Sequence, residues 1–576
     1  MGILINLPFV FGRFNWDDFM FVSVVEENAQ YNRLTGFWSL DLRNSIMYQT
    51  IWWPDPDAEG SFLRPIPSFV FHFLFSILGR NSAAALHILS ILMHLFVAFT
   101  TFLLLGRLSK NHAVSLLAGF IYLFCVHHSF TVGWIATNSD LMAVLFMNLS
   151  LYSYIVYREQ KRMKMLLISS LLMIPAFLCK ETAVITPVAV MLYELVYGKD
   201  VSGTEPGRVK LFFSGWKHWG LSFLLLIVYL IVYRIGQFGF VSLMYYDPFK
   251  QPLVYVQNLA IGIPIMFLGL LSVLPISFPL FSPDLLFPFV VLGLFLLALF
   301  IIVLIPYRKD KTISFCFLLF VIAILPQLST DASERQLYYP YAAGSYLISF
   351  IIFQLKFLKE KFSKDSPNRV KVLGAFFGWY FLIFSIVYSF PMSFVYAKMY
   401  VTSLEVPEKY VLQCKAIADE KKTDRLILLS TPGSYFFLYA ADIFRYHNRK
   451  YNDMYILSSF NGKLWAQKLS DSSLVLKTDG KGWLTNMFVR LLRSNPLITS
   501  GKVYKTKQLT ATVLKTTPDK SDVLEVRFNF DFRFSESDFI FLYFNGERMG
   551  EWDFNTMAPG QWYFITDNAD VFKSIM

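Results

Sequence analysis

The chain has 576 residues, of which 55% are hydrophobic, 18% aromatic and only 16% charged, with a mean hydropathy of +0.47. Soluble chains carry about 25% charge, so the composition excludes a water-soluble enzyme, a disordered chain and a disulfide scaffold. The net charge of +11 is no nucleic-acid footprint, because most basic residues sit in short loops between apolar runs, as the positive-inside rule requires.

The first apolar stretch, Met1–Phe14, is short for a helix that must cross about 30 Å at 1.5 Å per residue. It either spans by tilt and bilayer thinning or continues a helix that begins upstream; it has no basic n-region or cleavage site of a signal peptide. Residues 15–82 form a first external loop that opens with Asn15-Trp16-Asp17-Asp18. Later in it, Phe62-Leu63-Arg64-Pro65-Ile66-Pro67 leads into 68–79, too short to span and expected to lie in the interface. Longer apolar runs follow near 83–106, 113–127, 139–157, 165–179, 182–197, 218–235, 285–306, 312–328, 339–355 and 371–391.

Basic clusters assign the cytoplasmic side: Arg107 and Lys110; Arg158, Lys161, Arg162 and Lys164; Lys199, Arg208, Lys210 and Lys217; Arg308, Lys309 and Lys311; and Lys356 to Lys371. The intervening loops contain only Lys180, Lys250 and Arg335. This alternation requires 236–284 to be one external loop, whose apolar part, 253–274, enters the membrane as a broken segment at Gly262, Pro264 and Pro275 without crossing. The expected fold is an α-helical multi-pass bundle of about 11 spans over residues 1–399. Residues 400–576 read as a soluble α+β domain outside the membrane, with helix, strand Arg425–Ser430, turn and helix over 405–446, and exposed strands such as Val523–Phe532.

Charges near a membrane interior mark function unless they snorkel to the interface. Asp17 and Asp18 can take a proton from a hydroxyl or hold a divalent cation such as Mg or Mn, and the same doublet also fits a helix cap. Arg64, Lys180 and Arg335 are isolated cations at the outer ends of apolar runs, where loop statistics disfavour them. Together they suit capture of an anionic head group, with Glu181 orienting Lys180 and Glu334 beside Arg335. His87 and His94 lie seven residues apart on one helix face, placed to touch a substrate or to bond within the bundle. With His127 and His128 they match no zinc signature. Asp140 follows Thr137-Asn138-Ser139, as a cap or a cavity residue. A sugar joined to a lipid phosphate fits the set: the cations stabilise the departing phosphate and an Asp deprotonates the attacking hydroxyl.

These residues fall in an order that resembles the GT-C glycosyltransferases. The order runs from Asp17-Asp18 and Arg64-Pro65 to His87-Ile-Leu-Ser-Ile-Leu-Met-His94 and Trp134-Ile-Ala-Thr-Asn-Ser-Asp140. It continues with Cys179-Lys180-Glu181-Thr182 and Glu334-Arg-Gln-Leu-Tyr-Tyr-Pro340. The closest likeness is to the protein O-mannosyltransferases and the transmembrane and tetratricopeptide-repeat mannosyltransferases, over roughly residues 9–355. The resemblance implies an outward-facing active site, a polyprenyl- or dolichyl-phosphate sugar donor and inversion at the anomeric carbon. It makes Asp17 or Asp18 the catalytic carboxylate, assigns the donor phosphate to Arg64, Lys180 and Arg335, and gives His87, His94 and Asp140 supporting places. Relatives often carry His-Pro where this chain has Cys125-Val126, and no repeat array follows the membrane part. The acceptor is then a protein, glycolipid or polysaccharide hydroxyl, and the setting a bacterial inner membrane with residues 400–576 in the periplasm, or else an endoplasmic reticulum. Two other functions fit a greasy bundle: an envelope-lipid transporter or flippase, and a non-catalytic membrane scaffold.

Overall fold

The computed structural model describes residues 2–30, 40–41, 50–198, 212–213, 215–355, 368–403, 405–433, 436–447, 453–459, 462–479, 482–484 and 487–568. The basic residues Lys199, Arg208, Lys210, Lys356, Lys359, Lys361 and Lys364 lie outside them. Among the described residues, six helical runs are long and apolar enough to cross a membrane: Pro65–Ser109, Ile135–Gln160, Trp216–Ile235, Pro252–Leu271, Pro283–Tyr307 and Arg369–Glu420. Shorter apolar helices cover His112–Leu123, Met163–Cys179 and Lys311–Gln327. Leu224, Val228, Ile231 and Val232 of one run, and Val291, Leu294, Phe295 and Ile302 of another, are exposed. Contiguous apolar surface of this kind is stable only against lipid, so the chain is an integral membrane protein.

The first helix is Gly2–Val10, nine residues or about 14 Å long. It packs on helix Ser389–Ser403, where Phe9 meets the Tyr400 ring edge-on at 5.9 Å. The short stretch 68–79 forms part of a helix, Pro65–Leu78, its first turn set by two prolines. The run expected over 113–127 stops at Leu123, and the chain turns into a second short helix, His128–Gly133, because His128 Nδ1 bonds the Tyr122 carbonyl across the reversal.

The segment expected to be broken within 253–274 is instead one continuous helix, Pro252–Leu271. Its glycines serve approach rather than breakage. A Cβ on Gly262 would stand 2.4 Å from Leu328, one on Gly269 2.5 Å from Leu337, and one on Gly293 of the neighbouring helix 2.2 Å from the Pro264 carbonyl. Small residues at such contacts let membrane helices meet backbone to backbone. Near one end Tyr255 and Asn258 donate to the carbonyls of Leu325 and Leu328; past the other, Ser277 donates to Glu334. Both ends of this helix therefore meet the stretch 325–344.

Short strands β1 (Leu40–Asp41), β2 (Glu59–Phe62) and β3 (Gly239–Val241) pair antiparallel in that order. Beyond residue 400, helix Glu405–Glu420 leads to strand β4 (Arg425–Leu428), followed by helix Phe436–Tyr446 and β5 (Asp453–Ile456). β4 pairs in parallel with β5 on one side and with β11 (Ile540–Phe544) on the other, and β12 (Met549–Trp552) closes this four-stranded sheet. Leu426, Ile427 and Leu428 are fully buried in succession, as a parallel strand covered on both faces requires. A six-stranded antiparallel sheet runs in the order β13 (Trp562–Asn568), β6 (Gly462–Ser470), β7 (Ser473–Thr478), β10 (Val523–Phe530), β9 (Leu509–Thr516), β8 (Val503–Lys505). The strand expected to be exposed, β10, is interior: alternation buries Val526 and Phe528 on one face while both edges pair with neighbours.

The apolar core of these sheets also takes in Phe14, at the end of the first apolar stretch, and Phe19, Trp52 and Trp53 from the segment 15–82. Trp52 Nε1 donates to the Leu457 carbonyl at 2.9 Å, and Asp55 accepts from Lys502 Nζ at 2.7 Å and from two backbone N–H groups at 494 and 495. Substituting Gly293 by Val should push two helices apart at the Pro264 carbonyl and lower stability by about 1–3 kcal/mol, read as an earlier thermal melt in detergent. An unchanged melt would show that this approach is not tight.

Candidate active site

The Asp doublet begins a helix, Asp17–Gln30. Its entry is strained, because Trp16 takes φ +40°, a left-handed conformation that costs a bulky residue of order 1–3 kcal/mol. Packing holds it there: the Trp16 ring lies 5.3 Å from Trp134, 5.8 Å from Phe130 and 6.2 Å from Tyr400.

The turn separates the two carboxylates. Asp18 is fully buried, with Oδ2 accepting the Asn15 N–H at 2.9 Å and Oδ1 the Ala136 N–H at 2.8 Å. Burial raises its pKa well above the ordinary carboxylate value against the pull of those bonds, and the adjacent Asp17 charge adds to the rise. Asp17 is partly open, and its Oδ1 accepts from the Tyr439 hydroxyl of helix Phe436–Tyr446. Burial raises the Asp17 pKa as well, opposed by the Tyr439 bond and then by the charges of Arg335 and Arg64.

Two of the three isolated cations, Arg335 and Arg64, act on this carboxylate, and both also act on the third, Lys180. Arg64 makes a two-pronged pair with Glu181, its Nε 3.1 Å from Oε2, and stacks 4.3 Å over the Phe62 ring. Burial alone would raise Glu181, but the Arg64 charge and hydrogen bonds hold it below the ordinary value. Lys180 is buried and bonded to Asp140, whose Oδ2 is buried with no hydrogen-bond partner among the described residues. Glu181 therefore does not orient Lys180 through a bond as expected; Arg64 and Lys180 take separate acids. Burial lowers Lys180 to about 8, Asp140 opposing and Arg335 and Arg64 pushing it down further. Arg335 lies 5.3 Å over the Trp134 ring, the ring that packs on Trp16, and among the described residues no carboxylate pairs with it.

The supporting residues divide. Asp140 is the third residue of helix Asn138–Gln160 and makes an ion pair rather than a cap. His94 is saturated inside the bundle, Nδ1 with the Tyr338 hydroxyl at 2.8 Å and Nε2 with the Leu123 carbonyl at 3.1 Å. His87 lies against the Arg13 carbonyl at 3.4 Å and touches the space beside Gly12, so it supports the corner leading to Asp17. Glu334 accepts from the Ser277 N–H and hydroxyl and ties down the turn that carries Arg335. Tyr245, which sequence reasoning did not single out, sits within electrostatic reach of Arg335, Arg64, Glu181 and Asp17. As one of 31 tyrosines it gave no signal until the loop around it was paired to Glu59–Phe62.

The donor set suits an anion better than a divalent cation. Both Asp18 oxygens face backbone donors, Asp17 already accepts from Tyr439, and Arg335 and Arg64 lie within its electrostatic reach; no group of three metal-ligating side chains converges among the described residues. Residues 63–233 match the family model of dolichyl-phosphate-mannose-protein mannosyltransferases, a segment that holds Arg64, His87, His94, Asp140, Lys180 and Glu181. A search of curated protein sequences finds no match. Among solved structures, the chain is similar to the Archaeoglobus fulgidus oligosaccharyltransferase tethered to an acceptor peptide, at 11% identity and a TM-score of 0.40. The alignment covers 79% of this chain and 62% of that one, so less than two thirds of that protein is spanned.

Replacing Asp18 by Ala leaves two backbone N–H groups without acceptors, at about 1–3 kcal/mol each, whereas Asp17→Asn keeps the acceptor that Tyr439 uses. Thermal melts in detergent should show a clear loss for the first variant and little change for the second. Equal losses would contradict this division.

Proposed function

We propose that the membrane part is that of a GT-C glycosyltransferase, and that it moves a sugar from a polyprenyl- or dolichyl-phosphate donor to a hydroxyl on the outer face of a bundle of about 11 spans. The single observation that carries this reading is that Arg335 and Arg64 lie within electrostatic reach of both Asp17 and Lys180. Arg335 has guanidinium donors left for the donor phosphate, and Lys180 and Arg64 add charge from their paired positions. Cations fixed beforehand stabilise the phosphate as it departs with the bonding electrons from the anomeric carbon. Asp17 takes the proton of the acceptor hydroxyl as its oxygen bonds that carbon from the opposite face, inverting it. A carboxylate whose pKa is raised by burial is a better base near neutral pH than an exposed one. A protein, glycolipid or polysaccharide hydroxyl all fit as acceptor, and residues 400–576 stand on the same side as the site.

The test incubates purified protein with radiolabelled polyprenyl-phosphate sugars and candidate acceptors. Labelled product should form with the wild type and fall about 10²–10⁴-fold with Asp17→Asn; full activity of that variant would defeat the mechanism. Lys180 supplies charge only while protonated, so kcat/KM for the donor should decline as the pH rises through about 8. Lys180→Arg, which stays charged, should remove that alkaline decline, and a persisting decline would assign it to another group.

A further inference from the structure

Helix Phe436–Tyr446 brings one more group to the carboxylate. Tyr439 and Tyr446 are seven residues apart, two turns along one face. The Tyr446 ring packs edge-on against Phe14 at 5.7 Å and Phe19 at 5.2 Å, the two residues that flank the Asp17 turn. Arg80 stacks 4.6 Å over Tyr446, Arg445 pairs with Glu26 at 3.5 Å, and Glu408 joins His447 at 2.9 Å to Arg13 at 3.5 Å. The helix is thus seated on the Asp17 corner at several points, and its Tyr439 hydroxyl ends on Asp17 Oδ1.

Resting on the assignment of Asp17 as the base, we propose that Tyr439 is a positioning residue of the transfer reaction, supplied to the membrane site by the C-terminal region. By donating to Oδ1 it fixes the carboxylate plane and leaves Oδ2 to receive the acceptor proton. A carboxylate with one oxygen held cannot rotate away from the incoming hydroxyl, which is the orientational part of catalysis. The same bond stabilises the ionised form, so it offsets part of the rise that burial imposes on Asp17. The C-terminal region then completes the active site rather than standing beside it.

The experiment compares acid limbs of kcat/KM profiles for the full-length wild type, Tyr439→Phe, and protein carrying a trifluorotyrosine at 439. Loss of the donor should move the acid limb up by about one pH unit and lower kcat more than it raises the donor KM. The more acidic fluorinated phenol, a stronger donor of the same shape, should move the limb down. Opposite shifts establish the bond to the base, and they can be read even if Tyr439→Phe also melts earlier. Profiles that coincide in all three proteins would overturn the role of Tyr439. If Asp17→Asn is inactive at the same time, the base assignment survives that failure; if Asp17→Asn is active, both readings fall.

Discussion

The site depends on one buried carboxylate, Asp18, that does no chemistry in this account. Its two oxygens join the N–H of Asn15, at the end of the first apolar segment, to the N–H of Ala136, between two helices of the bundle. This clamp fixes the 15–18 turn against segment 134–140, and that segment then sets nearly everything else. Trp134 packs on Trp16 and lies under Arg335, Asn138 accepts from Ser90 at 2.7 Å, and Asp140 holds Lys180. Seven residues of backbone thereby fix the distance between the base and two of the three cations.

Electrostatics explains why the arrangement is poised for an anion. Arg64 and Lys180 each have an acid, Glu181 and Asp140, while Arg335 lies over an aromatic face with the partly open Asp17 within reach and, among the described residues, pairs with no carboxylate. Burial is the larger cause of the depressed Lys180, and repulsion from the Arg335 and Arg64 charges lowers it further. An incoming phosphate relieves that repulsion. The acids that neutralise Arg64 and Lys180 in its absence keep the buried charge tolerable, because an unpaired buried ion is costly.

The helices were legible because span length, apolar content and basic loops are read one residue at a time; the runs near 83–106, 139–157 and 218–235 match observed helices Ser82–Ser109, Asn138–Gln160 and Trp216–Ile235. Lys180 and Arg335 stood out because each is the lone basic residue of its loop, and Arg64 because it opens the short apolar stretch 68–79. What did not show was pairing across long stretches of chain. Nothing in Lys180-Glu181 says that the first takes Asp140 and the second Arg64, nor does Asp17-Asp18 reveal which oxygen meets a backbone N–H 118 residues away. Gly262 and Pro264 read as breakers, yet close helix packing uses them as contacts. Trp52 and Trp53 gave no hint that they enter the core of sheets formed after residue 400.

The central claim is that a lipid phosphate binds where Asp17 and the three cations meet. A cryo-electron microscopy map of the protein with a polyprenyl phosphate in a lipid nanodisc tests it most directly. The account predicts phosphate density on the Arg335 guanidinium and the Lys180 ammonium, on the side of Trp134 that faces Asp17. Phosphate density at the opposite membrane face, among Arg158, Arg107 and Lys164, would contradict it.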